Sequence, residues 1–195
     1  MKILKRMLAL TLAMTLSLSS FAYAATDAEI AAANQLNALD ILKGRDNGDG
    51  TIDLALESTI TRAEIATLVF RVTAQEGIEV PNLDTVTQKD IVGHWAEENI
   101  RKVIKLGYMK GYDTETYGPN DNITYQEVVT LMLRLVGEER NLTADWPIGQ
   151  IERAKLIGLV KGETIVTPDK YAEKLTRGTV SLLLFDTMTL NTNVY

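Results

Sequence analysis

The sequence predicts a mostly α-helical fold: three copies of one helix–loop–helix unit sharing a single core. Three observations predict it. A capped-helix signature is written three times, a Lys-Gly turn precedes each copy, and the only two tryptophans stand sixteen residues before two of those turns. Units of about 50 residues, none able to bury its apolar face alone, must pool those faces.

The capped helix is clearest at residues 59–72. Thr61 and Glu64 form a capping box, in which the hydroxyl accepts from the Glu64 N–H and the carboxylate accepts from the Thr61 N–H. Ile60 and Ile65 are spaced as a hydrophobic staple, and Ile65, Leu68, Val69 and Val72 make an apolar stripe at helical period. Residues 123–135 repeat the pattern with Ile123 and Val128 as staple, Thr124 and Glu127 as box, and Leu131, Met132 and Leu135 continuing the stripe. Residues 175–184 repeat it again with Leu175, Thr176, Val180, Leu183 and Leu184, but Thr179 replaces the acid.

The upstream landmarks are residues 39–44, 106–111 and 157–162, which align without gaps and end in Lys43-Gly44, Lys110-Gly111 and Lys161-Gly162. Glycine after lysine reads as a left-handed cap at the end of a helix, with the cation complementing the dipole. Upstream of these, Ala96, Ile100, Val103 and Ile104, and then Ile151 and Ala154, give the helical spacing of the first helix in two units. Trp95 and Trp146 mark its start, and Ala28 holds that register in the first unit. Linkers at 76–90, containing Pro81, and at 137–145 separate the units.

Arg62 and Arg177 occupy the first helical position, where the dipole and unpaired N–H groups disfavour a cation. Two readings follow: an exposed arginine paired with a nearby carboxylate, or a donor cluster that welcomes an external carboxylate or phosphate. On the second reading Arg62→Ala leaves the free protein's stability unchanged or slightly improved, whereas strong destabilisation would mark the arginine as a structural ion-pair partner.

Residues 1–24 read as a secretory signal: Lys2, Lys5 and Arg6, an apolar core from Met7 to Leu18, and Ala22-Tyr23-Ala24 before the cleavage point. Removing them takes the formal charge from −6 to −9, with 17 basic against 26 acidic residues. That balance argues against nucleic acid as a partner. Outside the signal, no run reaches the roughly 18 apolar residues that would point to a membrane helix, so no membrane insertion follows signal cleavage. With no cysteine, the exported domain relies on its core rather than disulfides.

Other signals are weaker. Residues 45–56 carry an acidic, glycine-rich turn, but with Gly50 at the sixth position of a calcium loop, Arg45 and Leu56 fall where ligands belong. The lone His94 lacks a partner for metal binding or nucleophilic chemistry and is assigned to support of the Trp95 turn. Tyr108, Tyr112 and Tyr117 are candidates for stacking on a sugar. Neighbouring acids such as Glu97-Glu98 do not face one another on a helix, so no glycosidase pair is indicated. No catalytic constellation, metal site or cofactor is indicated, and the chain reads as non-enzymatic.

The run Ile60-Thr61-Arg62-Ala63-Glu64, with His94-Trp95-Ala96, the Gly107 to Gly111 segment, Tyr117-Gly118-Pro119 and Ile123-Thr124, resembles the S-layer homology repeat. The resemblance covers about 165 residues and implies three repeats at 25–76, 87–140 and 141–195, arranged as a pseudo-threefold helical bundle. It further implies a secreted protein of a bacterial cell wall or S-layer, binding a pyruvylated secondary cell wall polysaccharide in grooves between repeats. Carried over residue by residue, the binding groups are Arg62 and Arg177 for the ketal carboxylate, Lys43, Lys110 and Lys161 for charge, Trp95 and Trp146 for the sugar face, and Gly44, Gly111, Gly162, Thr61 and Thr176 around the turns and caps. The match is uneven. Unit 1 lacks the tryptophan, Tyr125 replaces the arginine in unit 2, and Gly178-Thr179 replaces Ala-Glu in unit 3. Grooves that mix residues of neighbouring units can still be complete, first of all those using Arg62 and Arg177. A secreted structural module that docks a protein of the envelope, its repeats having lost wall binding, is the alternative.

Overall fold

The computed structural model describes residues 24–75, 77–140 and 142–190; the signal segment, apart from Ala24, lies outside the described residues. The order is α1 (Asp27–Ala38), β1 (Arg45–Asp46), β2 (Ile52–Asp53), α2 (Arg62–Gln75), α3 (Glu97–Lys105), α4 (Tyr125–Leu135), α5 (Ile148–Leu156) and α6 (Arg177–Leu190), with single 3₁₀ turns at Leu83–Thr85, Gly162–Thr164 and Pro168–Lys170. The fold is mostly α, as the repeated signatures predict. The two strands are a two-residue antiparallel hairpin pairing Arg45 with Asp53 and Asp46 with Ile52. Its Asp46, Asp49 and Asp53 carboxylates each accept from a backbone N–H two residues on, at 2.7 to 2.9 Å. Among the described residues, no helix is long and apolar enough to cross a membrane.

The caps start the helices where the sequence places them. Glu64 N–H donates to Thr61 Oγ1 at 3.2 Å and Thr61 N–H to Glu64 Oε2 at 2.8 Å. Thr124 and Glu127 repeat the box on α4, and on α6 Thr176 caps alone, accepting from the Thr179 N–H at 3.1 Å. A third box, Thr26 with Glu29, starts α1, and its Thr-x-x-Glu spacing was equally legible.

The helix ends correct the sequence reading. The left-handed residue after α1, α3 and α5 is Asp40, Gly107 and Gly158, four residues before the Lys-Gly glycine. Each closes a Schellman motif: Gly107 N–H donates to the Ile104 carbonyl and Tyr108 N–H to that of Val103, with the same pair at 154–159 and 36–41. Gly44 and Gly111 are needed for a different reason, the close approach of backbone. A Cβ on Gly111 would lie 2.6 Å from the Thr116 carbonyl oxygen and 2.7 Å from that of Asp113, and one on Gly44 2.4 Å from the Asp53 oxygen. Because those neighbours are main chain, Gly111→Ala should cost about 1–3 kcal/mol, the range for overpacking, in chemical denaturation. A loss under about 0.5 kcal/mol would show that the loop opens freely.

Packing does not follow sequence order. α3 packs on α2, α5 on both α4 and, through it, the rest of the core, while α1 packs on α6 and α6 on α4. The first helix of each unit thus covers the second helix of the preceding unit, and α1 closes the circle on the last. The staples Ile60, Ile123 and Leu175 meet at the centre, all buried. There Ile60 N–H donates to the Leu175 carbonyl, Leu175 N–H to that of Ile123, and Ile123 N–H to that of Ile60, at 3.1 to 3.2 Å, a closed ring of three bonds. The next two N–H groups of each helix also cross over. Arg62 and Ala63 donate to the Asp121 and Pro119 carbonyls, Tyr125 and Gln126 to Glu173 and Tyr171, and Arg177 and Gly178 to Ser58 and Leu56. The helix N-termini are therefore occupied by neighbouring loops, which satisfies the orphan donors of a first turn.

Candidate functional site

Arg62 leaves α2 and enters the loop of the second unit. It is 4 % exposed. Its Nε donates to the Tyr117 carbonyl at 2.9 Å, Nη2 to the Lys110 carbonyl at 2.7 Å and Nη1 to Glu127 Oε1 at 3.1 Å. The guanidinium lies between the Tyr112 and Tyr117 rings, 4.5 and 4.7 Å from their centroids. Arg177 does the same from α6: Nε to Leu54 O, Nη2 to Lys43 O and Nη1 to Glu64 Oε1, at 3.0, 3.1 and 3.3 Å. The capping carboxylate thus serves two helices, closing its own N-terminus and receiving the arginine of a neighbour.

The first groove, of about 350 Å³, lies over that arrangement. Arg62 of α2 forms its base, the loop Lys110–Tyr112 one wall, Thr130 and Arg134 of α4 the floor, and Trp146 ahead of α5 the far wall. Trp146 is 52 % exposed and is aimed by its Nε1–H, which donates to Thr130 Oγ1 at 3.1 Å. Lys110 is exposed and has no ion-pair partner among the described residues. Burial raises the pKa of the Tyr112 phenol, with Arg62 pulling the other way, so Tyr112 is a neutral hydrogen-bonding and stacking group at the rim.

The second groove repeats the first residue for residue. Arg177, Lys43, Glu64, Thr67, Leu68, Arg71 and Trp95 stand where Arg62, Lys110, Glu127, Thr130, Leu131, Arg134 and Trp146 stand. It is split into cavities of about 130 Å³ on the Trp95 side and about 180 Å³ on the Gly44 side. Trp95 is 66 % exposed. His94 supports it, accepting the Ala96 N–H on Nδ1 at 3.1 Å, with Nε2 within 3.2 Å of Asn120 Oδ1. The expectation that grooves using Arg62 and Arg177 draw on neighbouring units describes both.

The third equivalent position is built differently. Tyr125 replaces the arginine and donates to the Thr164 carbonyl at 2.9 Å, its ring stacked on Tyr171. Lys161 pairs with Asp186 at 3.1 Å, and Glu163, next to Gly162, accepts from the Thr26 hydroxyl. Leu182 and Asp186 hold the places of the groove threonine and second arginine, and Ala28 that of the tryptophan. Glu29 of α1, buried, accepts from Thr179 Oγ1 at 2.6 Å, supplying at α6 the carboxylate that the third signature lacks.

Of the predicted site residues, Arg62, Lys110, Gly111 and Trp146 come together in one groove and Lys43, Gly44, Arg177 and Trp95 in the other. Thr61 and Thr176 spend their hydroxyls on helix caps. Tyr117, proposed from sequence to stack on a sugar, is instead fully buried; its hydroxyl donates to the Arg62 carbonyl at 3.2 Å, and burial raises its pKa so that it stays protonated. Sequence reasoning missed Thr67, Thr130, Arg71 and Arg134. Their signal was present: the threonines stand six residues and the arginines ten residues after the capping Thr61 and Thr124. Arg71 donates to the Ile41 carbonyl, and Arg134 to that of Tyr108 and twice to Glu139.

The helical bundle carries exposed indoles and lysines over one buried and one half-buried arginine–carboxylate pair, and with the family match and relatives that follow it belongs to the class of cell-surface anchoring modules. The chain is an S-layer homology domain protein: the S-layer homology domain model matches residues 89–129, which contain Trp95, the Lys110-Gly111 turn and the α4 cap. It is 30 % identical to a cell surface protein of Thermoanaerobacter kivui over 94 % of this chain and 24 % of that protein, and 30 % identical to a middle cell wall protein of Brevibacillus brevis over 94 % and 18 %. It is also 40 % identical over 79 residues to a cellulosome-anchoring protein of Acetivibrio thermocellus, 40 % of this chain and 18 % of that one. The chain thus spans a quarter or less of the length of these relatives. It takes its place among secreted, non-catalytic structural proteins of the bacterial cell wall and surface layer.

Proposed function

We propose that the chain anchors to the cell surface by holding an anionic, pyruvylated secondary wall polysaccharide in the two grooves, with residues 25–76, 87–140 and 141–195 acting as three repeats of one domain. The observation that carries this reading is the equivalence of seven residues in two grooves, each offering an exposed indole, an exposed lysine and a threonine beside an arginine paired with a capping glutamate. Trp95 and Trp146 cover a sugar face, Lys43 and Lys110 meet the ketal carboxylate, and Gly44 and Gly111 let the ligand approach the main chain. Arg62 and Arg177 hold the lysine-bearing loops from beneath and lend positive potential. The third position, with its lysine neutralised by Asp186 and no indole, is inactive. The net charge of −9 after signal removal suppresses indiscriminate adsorption to anionic polymers and leaves affinity to the grooves.

The mature chain should sediment with sacculi that retain the secondary polymer and remain in solution with acid-stripped peptidoglycan. Lys110→Ala combined with Lys43→Ala should weaken sedimentation at least tenfold while leaving the melting temperature within about 2 °C, since both lysines are exposed. Equal sedimentation with stripped and unstripped sacculi would overturn polymer recognition and favour a protein partner in the envelope.

A further inference from the structure

The residue after each Lys-Gly turn separates the two grooves. It is Tyr112 in the first and Arg45 in the second. Tyr112 lies over Arg62, helps bury it, and leaves one undivided cavity. In the second groove Leu54 stands in the place of Tyr117, and no aromatic ring covers Arg177. Arg177, Lys43 and Glu64 border both halves, with Glu64 paired to Arg177, and the Gly44 half adds Arg45, Asp53, Ser58 and Thr59. Arg45 is exposed and makes no ion pair among the described residues; Asp53, opposite it in the hairpin, turns its carboxylate to the Ala55 N–H at 2.7 Å. Two exposed cations, Arg45 and Lys43, the latter 3.8 Å from an exposed Asp40 carboxylate, and two exposed hydroxyls therefore face a cavity of about 180 Å³.

Resting on the polymer-binding reading above, we propose that the grooves differ in specificity: the first takes a sugar with one carboxylate, stacked at Tyr112, and the second takes a sugar with an additional anionic group, which Arg45 and Lys43 receive in the Gly44-side cavity. A compact dianion gains from two cations lining one cavity, whereas a neutral substituent gains nothing from their charge. The first groove, with Tyr112 at the same place, offers no second cation outside its buried pairs. Arg45 is then the residue that sets specificity, and one chain reads two positions of a charge-patterned polymer.

Isothermal titration at low salt can test this on mature chains with one groove disabled, by Lys110→Ala with Trp146→Ala or by Lys43→Ala with Trp95→Ala. Three probes are used: the methyl glycoside of an N-acetylhexosamine carrying a pyruvate ketal, the same glycoside with an added methyl phosphodiester, and the same glycoside with an added carboxymethyl ether. The chain retaining the second groove should bind the doubly charged probes about three- to tenfold more tightly than the singly charged one, and Arg45→Tyr should abolish that preference without changing the melting temperature. The chain retaining the first groove should show no such preference. A stronger gain with phosphate than with the ether identifies the anion as phosphate, and equal gains identify charge alone as what is read. Equal affinities for all probes in both grooves, or a preference that survives Arg45→Tyr, overturns the inference while leaving polymer anchoring intact. No binding of any probe by the unmutated chain overturns both.

Discussion

A chain ended after residue 140 should lose cooperative folding. The deletion removes α5 and α6, and with them the surfaces against which α4 and α1 pack. Ala32, Ala33 and Leu36 of α1 then face water, as do Val128, Val129 and Met132 of α4 to the extent that α5 and α6 cover them. Burying a large aliphatic side chain stabilises by about 1.5–3 kcal/mol, so losing partners for several exceeds the roughly 5–15 kcal/mol by which a domain is stable. The central ring also opens. Without Leu175, the Ile60 N–H and the Ile123 carbonyl lose their partners, as do the Ser58 and Leu56 carbonyls that receive Arg177 and Gly178. The fragment should give helical circular dichroism without a sharp melt, bind a hydrophobic dye and elute as aggregate. A chain starting at residue 44 should share the defect, since it removes α1 from α6. A monomeric 25–140 fragment melting sharply near the full chain's temperature would show that the units are independent.

That interdependence explains what could and could not be read from the sequence. Capping boxes, staples and stripes are local, fixed by spacings of three and four residues, and α2, α4 and α6 begin at the residues those spacings select. Which helix covers which is a long-range choice that no periodicity records, and the sequence-adjacent pairing within a unit gives way to pairing between units. The Lys-Gly glycine was legible as indispensable but not for its true reason. The left-handed cap falls to Gly107 and Gly158 in the same aligned blocks, and Gly111 and Gly44 are required because carbonyls from distant loop residues press on them. Tyr117 failed as a surface candidate because its loop folds inward beneath Arg62. Arg134 lies in the last turn of α4, where a cation is explained by the dipole alone, and Arg71 stands one turn short of the end of α2, so their place in the groove floor emerges only when the neighbouring unit closes over them.

Arg62 shows most plainly how the local rule fails. At the first position of α2 a cation faces the positive end of the dipole, and on that ground Arg62→Ala is neutral or mildly stabilising. The long side chain changes the sign, because it delivers the charge not to its own helix end but to two carbonyls and Glu127 in the next unit. Truncation to alanine leaves the Tyr117 and Lys110 carbonyls unpaired, strips Glu127 of its cation and empties the space between two tyrosine rings. Breaking a buried pair by removing one partner costs about 3–5 kcal/mol, which for a chain of this size lowers the melting temperature by about 6–20 °C. Arg62→Lys should recover little, since one ammonium cannot span contacts made by three nitrogens of a planar fork. Arg177→Ala should cost less, about 1.5–3 kcal/mol, because its contact with Glu64 is longer at 3.3 Å and no aromatic ring covers it. Wall binding falls as a consequence: with the Lys110 carbonyl released, the loop that carries the Lys110 ammonium loses its fixed place. The order of effects separates support from contact. Arg62→Ala should reduce both stability and sedimentation with sacculi, whereas Lys110→Ala should reduce sedimentation alone. If Arg62→Ala melts within about 2 °C of the unmutated chain and still loses wall binding, the guanidinium touches the polymer itself and its hydrogen bonds to the loop contribute little.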